Sequence, residues 1–137
     1  MKKVTGIGGV FFKTKNPEET KKWYSKHLGI ESGAYGGQFL WRAARGNDKL
    51  RTTAWSPMEA STDYFDPGDQ DFMINYRVHD LDSLLSELKN DGVMVIDGPV
   101  EYEYGRFAWI LDPDGRKVEL WEPIDLPLIQ PPHNEAE

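Results

Sequence analysis

Residues 105–123, GRFAWILDPDGRKVELWEP, decide the fold because they place two strand-like runs around a tight turn. In the Asp-Pro-Asp-Gly turn at 112–115, proline suits the second position and glycine accepts a positive φ angle. Both flanking motifs recur earlier in the chain. GQFLWR at 37–42 repeats the Gly-x-Phe-x-Trp of 105–110, and TAWSP at 53–57 repeats the Trp-x-Pro of ELWEP at 119–123. The offsets of 68 and 66 residues agree closely, which predicts an internal repeat.

The segments upstream of these motifs also match in type. Residues 7–15 alternate loosely and predict a strand, after which Asn16 and Pro17 begin a helix that ends at Gly29. In the second half, residues 72–78 predict a strand. Asp80 is a helix cap, four leucines follow at helical spacing, and Gly92 is the stop.

Three short strand-like runs follow each predicted helix. They lie near 31–35, 38–44 and 49–55 in the first half and near 93–97, 106–111 and 116–122 in the second. The sequence therefore predicts an α+β fold of two βαβββ modules within one domain, 1–123, the first module at about 4–57 and the second at about 71–123. The alternative is one α+β domain in which the shared Trp-x-Pro motif is a coincidence.

Composition excludes several classes of function. The chain has 137 residues and no cysteine, so it has no disulfide framework, thiol nucleophile or cysteine metal site. A net charge of −7 argues against a nucleic-acid partner. No apolar run approaches the roughly 18 residues of a membrane span, so we expect no membrane association. The N-terminal apolar run lacks a small-residue cleavage site, and we expect a cytoplasmic protein.

Two segments carry no helix or strand periodicity. The connector at 56–71 is long and acidic, which is typical of a linker, a lid or a binding loop. The tail at 124–137 is rich in proline and is expected to be extended. Its apolar residues at 124, 126, 128 and 129 are expected to pack on the domain or on a partner.

The pair Trp23-Tyr24 with Leu28-Gly29, and the turn at 112–115 with Glu119-Leu120, resemble the vicinal-oxygen-chelate superfamily. This is the fold of glyoxalase I, bleomycin resistance proteins and extradiol dioxygenases. The resemblance covers about residues 4–123 and implies two modules whose mixed sheets curl around a shared cleft. It implies a small organic ligand and a homodimer, but it does not fix an activity.

The resemblance also implies four positions at which metal-dependent members hold their ion. Carried onto this sequence, they are Gly9, Met73, Thr53 and Glu119. Only Glu119 is a strong ligand, and a divalent ion needs several imidazole or carboxylate ligands. The three histidines lie outside the predicted cleft strands. We therefore expect no cofactor, with a divalent metal as the less favoured alternative.

Strand alternation extends these positions to a set of side chains that face the cleft. Aromatic groups with a few polar ones are typical of a small-molecule pocket. Trp55 and Trp121 have an alternative role as core residues, and Lys13 and Arg77 have one as solvated charges at strand ends. The side-chain amide of Asn75 needs a hydrogen-bond partner if it is buried. The predicted ligand-binding residues are Phe11, Lys13, Thr53, Trp55, Met73, Asn75, Arg77 and Trp121.

Glu119 is the predicted catalytic residue. A carboxylate among apolar groups suits a general base, because burial raises its pKa. Alternatively, it accepts hydrogen bonds from a ligand or is an exposed strand residue. The favoured function is a glyoxalase-like, metal-free small-molecule-binding protein. The alternatives are a metal-dependent lyase, isomerase or dioxygenase with an unorthodox site around Glu119, and a metal-free enzyme that uses Glu119 as its base.

Overall fold

The computed structural model describes residues 3–44 and 49–129, which form two helices and one mixed sheet of seven strands. The helices are α1 (Pro17–Leu28) and α2 (Leu81–Asn90). The strands are β1 (Val4–Thr14), β2 (Gly37–Arg42), β3 (Leu50–Glu59), β4 (Phe72–Val78), β5 (Val95–Tyr102), β6 (Gly105–Leu111) and β7 (Lys117–Pro123). Their order across the sheet is β2-β3-β1-β4-β7-β6-β5.

The strand pairing repeats between the two halves. In each half the first strand pairs in parallel with the last, β1 with β3 and β4 with β7. Next to the last strand lies its antiparallel neighbour, β2 or β6. The two halves join where β1 and β4 run antiparallel at the centre of the sheet. The predicted α+β architecture is confirmed.

One predicted strand does not form. Within the predicted strand at 31–35, residues 33–36 make a turn closed by a bridge between Gly33 and Gly36, so the first half has one strand fewer than the second. Gly36 has a φ of 104°, which favours glycine. A Cβ atom there would lie 2.3 Å from the Trp55 carbonyl oxygen, because the chain crosses close to β3. The close crossing and the positive φ are incompatible with a regular strand.

Both helices have the predicted bounds, and the residues at their ends explain why. The Asn16 side chain accepts a hydrogen bond from the Glu19 amide at 3.2 Å, and Pro17 occupies the first turn. Gly29 ends α1 with a φ of 72°. The Asp80 side chain accepts a hydrogen bond from the Ser83 amide at 3.1 Å and so caps α2.

Both helices cover the same face of the sheet. From α2, Leu81, Leu84 and Leu85 are buried in a core cluster with residues of β4, β6 and β7. From α1, Tyr24 packs on Trp55, with ring centroids 5.0 Å apart. The opposite face of the sheet is therefore left for other segments to cover.

The connector and the tail lie on that opposite face. β3 continues to Glu59, so the connector is residues 60–71 and is shorter than predicted. Its Phe65 is fully buried against β4, β6 and β7. After β7 the chain forms a short 3₁₀ turn, Leu126–Leu128, and Leu128 packs on the same cluster. Tail residues 130–137 lie outside the described part of the chain. No helix within 3–44 or 49–129 is long and apolar enough to cross a membrane.

The burial of α2 predicts the effect of shortening one of its leucines. Leu85→Ala removes a side chain that is 4% exposed, and we expect it to lower the free energy of unfolding by about 2–5 kcal/mol through lost burial and a cavity. Urea denaturation measures this change. Met94→Ala is the control, since Met94 is 61% exposed and its loss should cost about 0.5 kcal/mol or less. Equal effects of both substitutions would contradict the described core.

Candidate functional site

A groove of about 1750 Å³ lies on the face opposite the helices. Its aromatic lining comes from β1, β2, β5, β6, β7, the connector, the β5–β6 turn and the segment before β2. Phe107 lies nearly parallel to Trp109 and to Trp121, with ring centroids 6.3 and 5.8 Å apart. The three rings share one face because Phe107 pairs with Trp121 and Trp109 pairs with Glu119 across β6 and β7. The aromatic residues that line the groove include Phe11, Tyr64, Tyr102, Tyr104, Phe107, Trp109 and Trp121.

Glu119 lies at the floor of the groove and is 2% exposed. Its Oε1 accepts a hydrogen bond from Asn75 Nδ2 at 2.7 Å. Its Oε2 accepts one from Trp109 Nε1 at 2.9 Å and another from the Tyr64 hydroxyl. The three donors come from β4, β6 and the connector, and they use both carboxylate oxygens. The carboxylate is therefore solvated by the protein itself.

Tyr64 was not predicted as a site residue. Burial raises the pKa of its phenol well above the usual range, and the negative charge of Glu119 and the hydrogen bond to it add to this increase. The Lys117 ammonium lies 5.0 Å from the Tyr64 ring and donates to the Tyr64 carbonyl at 2.7 Å. The signal in the sequence was two adjacent aromatic residues, Tyr64 and Phe65, within an otherwise acidic connector.

Arg77 is buried and already holds a carboxylate of the chain. Its two terminal nitrogens bond to the Asp125 carboxylate, Nη1 at 2.9 Å from Oδ1 and Nη2 to Oδ2. The guanidinium lies between two rings, 5.5 Å from that of Trp41 and 4.9 Å from that of Trp121. Asp125 follows the last strand, in a segment without periodicity, and sequence reasoning did not single it out.

The remaining predicted residues of β1 and β4 share the groove side of the sheet but differ in role. Phe11 and Asn75 line the groove. Met73 is 1% exposed in the core below Phe65, and the Lys13 ammonium lies 5.6 Å from the Phe65 ring, so the connector covers both. The Asn75 Oδ1 atom is buried and has no hydrogen-bond partner among the described residues.

The predicted cleft positions of Thr53 and Trp55 are wrong. Trp55 packs below α1, and Thr53 donates to the Ile7 carbonyl at 2.6 Å. In the β1–β3 register, Gly9 pairs with Ala54, so the alternate residues of β3 face the groove. These are Thr52, Ala54 and Ser56. A shift of one residue moves every side chain of a strand to the other face.

The donor set around Glu119 does not fit a tightly bound divalent ion. The atoms nearest to its oxygens are N–H and O–H donors, which direct hydrogen atoms at the carboxylate and cannot act as ligands in that state. Within residues 3–44 and 49–129, no group of three or more histidine, aspartate or glutamate side chains is placed to hold a metal. Of the histidines, His27 packs at a tilt against Trp23 of α1 and His79 lies next to α2, while His133 is outside the described residues.

The paired modules and the groove across their shared sheet define the class of protein. The model of the Glyoxalase/Bleomycin resistance protein/Dioxygenase superfamily matches residues 6–120, and the chain belongs to this family. No curated protein matches the chain in sequence.

Solved structures share the fold. Methylmalonyl-CoA epimerase from Mycobacterium tuberculosis is 20% identical, with a TM-score of 0.56 over 97% of this chain and 93% of its own. A Streptomyces coelicolor methylmalonyl-CoA epimerase variant in complex with 2-nitronate-propionyl-CoA is 15% identical, with a TM-score of 0.63 over 88% and 98%. A structure described as NAD-dependent benzaldehyde dehydrogenase from Legionella pneumophila is 16% identical, with a TM-score of 0.56 over 85% and 98%. At these identities the similarity shows the fold alone.

The Tyr64–Glu119 contact predicts a change in stability. Tyr64→Phe removes one donor from a buried carboxylate, and we expect the free energy of unfolding near neutral pH to fall by about 1–3 kcal/mol. Urea denaturation measures it. Tyr35→Phe is the control, because Tyr35 is 96% exposed and should have no effect.

The same contact predicts a dependence on alkaline pH. The folded pKa of Tyr64 lies above the unfolded value of about 10, so the stability that the neutral phenol contributes is present below that value and is lost as the pH rises above it. Wild-type stability should therefore fall more steeply above about pH 10 than that of Tyr64→Phe. Denaturation across this range, with absorbance recording of tyrosine ionisation, measures the difference. If the free energy of unfolding fell equally with pH in the wild type and in Tyr64→Phe, the raised pKa of Tyr64 would be contradicted.

Proposed function

We propose that this chain is a metal-independent, glyoxalase-like protein that binds a small, planar organic molecule. The observation that carries the proposal is the aromatic wall of the groove, in which Phe107, Trp109 and Trp121 lie almost parallel. The three rings are 8%, 7% and 4% exposed, so they form a rigid, preformed apolar base of the groove, and a flat ligand would contact their remaining exposed edges together with the exposed rings of the rim.

The rim of the groove supports a ligand-binding role over a purely structural one. Tyr102 and Phe39, on opposite sides of the groove, are each 48% exposed, and Tyr35 is almost fully exposed. Apolar surface of this extent on one face is typical of a binding site. At the floor, the unpartnered Asn75 Oδ1 is an acceptor that a ligand hydroxyl or amide would satisfy.

The contacts of Glu119 favour binding over the two catalytic alternatives. As a general base, Glu119 would need an oxygen that reaches the substrate, yet its side chain is 2% exposed and three of its roughly four lone-pair sites already accept hydrogen bonds. As a metal ligand, it would have to give up at least one of these donors to hold an ion through both oxygens. In the proposed function Glu119 is a structural anchor that holds the wall of the groove.

We also propose a homodimer and a cytoplasmic location. β2 is an edge strand, and a second copy of the chain is a partner that would pair with its free edge and leave the rim of the groove open. The absence of cysteine is compatible with a reducing compartment. Analytical ultracentrifugation tests the dimer.

We expect aromatic ligands to bind in the groove, and the NMR signals of the tryptophan side chains can locate the bound ligand. We expect a screen of neutral aromatic compounds to shift the indole N–H resonances of Trp109 and Trp121 and to leave those of Trp23 and Trp55 in place, because the last two lie on the helix side. Two-dimensional NMR of ¹⁵N-labelled protein measures these shifts.

Two variants sharpen this test. Tyr102→Ala should weaken binding by about tenfold or less, which corresponds to an aromatic contact of about 0.5–1.5 kcal/mol. Trp23→Ala should leave the affinity unchanged, since Trp23 is exposed on α1. A screen without binders, or binders that shift only Trp23 and Trp55, would refute the proposed function.

The donor set predicts low metal retention. After incubation with nickel, zinc, manganese or iron(II) and subsequent desalting, we expect far less than one ion per chain, because the ligand set is incomplete and the Glu119 oxygens are occupied. Elemental mass spectrometry of untagged protein measures the content. Glu119→Gln is the matched control and should not change it. Retention of one ion per wild-type chain that this substitution abolishes would overturn the metal-free assignment.

A further inference from the structure

Four hydrogen-bond donors converge on the Asp125 carboxylate, which lies behind the groove surface: Thr52 lines the groove, whereas Arg77 and Asp125 do not. Arg77 supplies two, Nη1 at 2.9 Å from Oδ1 and Nη2 to Oδ2. Thr52 supplies the other two, its amide at 3.0 Å and its hydroxyl at 3.1 Å from Oδ1. A forked guanidinium joined by a backbone amide and a hydroxyl is a strong arrangement for recognising a carboxylate.

The sheet builds this donor set without help from the tail. Arg77 belongs to β4 and Thr52 to β3, and the Thr52 carbonyl accepts from Arg77 Nη1 at 2.9 Å. The Arg77 side chain is only 3% exposed, and a buried guanidinium requires an anion next to it. The strands thus bury a cation that needs an anion beside it, and the segment after β7 supplies that anion as Asp125.

A second ion pair of the chain, at the surface, shows the geometry of a pair that only links two segments. Arg106 also forms a two-pronged pair with Asp82, at 2.9 and 3.0 Å. Those two side chains are 28% and 69% exposed. The Asp125 carboxylate differs from that of Asp82 because its guanidinium partner is buried and because Thr52 adds two more donors.

Asp125 also leaves one donor of the site without a partner. Arg77 Nε is buried and makes no hydrogen bond among the described residues. The neighbouring surface belongs to the groove, since Thr52, Trp121 and Leu128 all line it. The Trp121 ring, 4.9 Å from the guanidinium, is part of the aromatic wall.

We propose that Arg77 and Thr52 form a carboxylate-binding subsite of the groove, and that Asp125 occupies it in place of the carboxylate of an aromatic acid. The inference rests on the proposed small-molecule function and adds a ligand class to it. The ring of such a ligand lies along the aromatic wall next to Trp121, and its carboxylate replaces that of Asp125 on the guanidinium.

Competition within the chain sets the expected affinities. Asp125 is covalently attached and therefore acts at a high effective concentration, so an aromatic acid binds the wild type weakly. Removing the Asp125 carboxylate leaves the donors of Arg77 and Thr52 free for the external acid. The gain must depend on the charge of the ligand, because a neutral amide of the same shape cannot match the guanidinium.

The experiment compares 1-naphthylacetate with 1-naphthylacetamide, which share a ring system and differ in charge. Binding to the wild type, Asp125→Ala and Asp125→Asn is measured by NMR titration and by the ligand-induced rise in Tm. We expect Asp125→Ala to bind the acid at least about tenfold more tightly than the wild type does, and the amide within about twofold. Arg77→Gln combined with Asp125→Ala should lose the gain for the acid.

The controls separate a subsite from other effects. Asp82→Ala removes the carboxylate of the surface pair and should give no gain. Asp125→Asn keeps the size of the side chain and removes its charge, so it provides the same test if Asp125→Ala does not fold. An equal gain for acid and amide would show that Asp125 only restricts access, and no gain would show that it is only a tether; both results overturn the inference.

Failure of the inference is distinguishable from failure of the proposed function. Binding of the neutral amide to the wild type, with shifts at Trp109 and Trp121, supports the groove function independently of Asp125. A gain for the acid in Asp125→Ala with no amide binding to any variant would support the carboxylate subsite and refute the aromatic groove.

Discussion

The buried carboxylate of Glu119 is the constraint on which the rest of the groove depends. A charge with 2% exposure must be solvated by the protein, and its three donors come from β4, β6 and the connector. Satisfying this one group fixes the rotamers of Asn75 and Trp109 and holds Tyr64 over the sheet. Tyr64 in turn positions Phe65 within the core. The shape of the groove thus follows from the solvation of a single side chain.

The fold was largely predictable because its determinants are local and repeated. The ends of the helices are set by neighbouring residues alone: Asn16 and Asp80 cap the first turns, and Gly29 ends α1. The spacing of the leucines in α2 is a direct consequence of helix geometry. The failure at 31–35 is also local, since Gly36 needs a positive φ and a close approach to β3 that alternation alone does not reveal.

The site was less predictable because it depends on register and on segments without periodicity. The repeated tryptophans Trp55 and Trp121 occupy opposite faces, although their motifs align, because the pairing of β3 with β1 differs from that of β7 with β4. Tyr64 and Asp125 complete the two polar clusters from the connector and the tail. Neither segment has a pattern that indicates which side chain turns inward. Strand alternation predicts one shared face for Glu119, Asn75 and Arg77, and the β4–β7 register gives them that face, although only the first two line the groove. Whether they act in a binding site stays a prediction.

The connector has an evolutionary consequence. Residues 60–71 contribute Asp63 and Tyr64 to the lining of the groove, yet they lie between the two modules and add no strand to the sheet. Tyr64 and Phe65 are constrained by Glu119 and by the core, whereas exposed positions such as Asp63 can change while the repeat scaffold keeps its strand pairing. Selection on ligand preference can therefore act on these exposed positions with little pleiotropic effect on folding. Duplicated copies of such a gene would be free to diverge in what they bind long before their scaffolds diverged in shape.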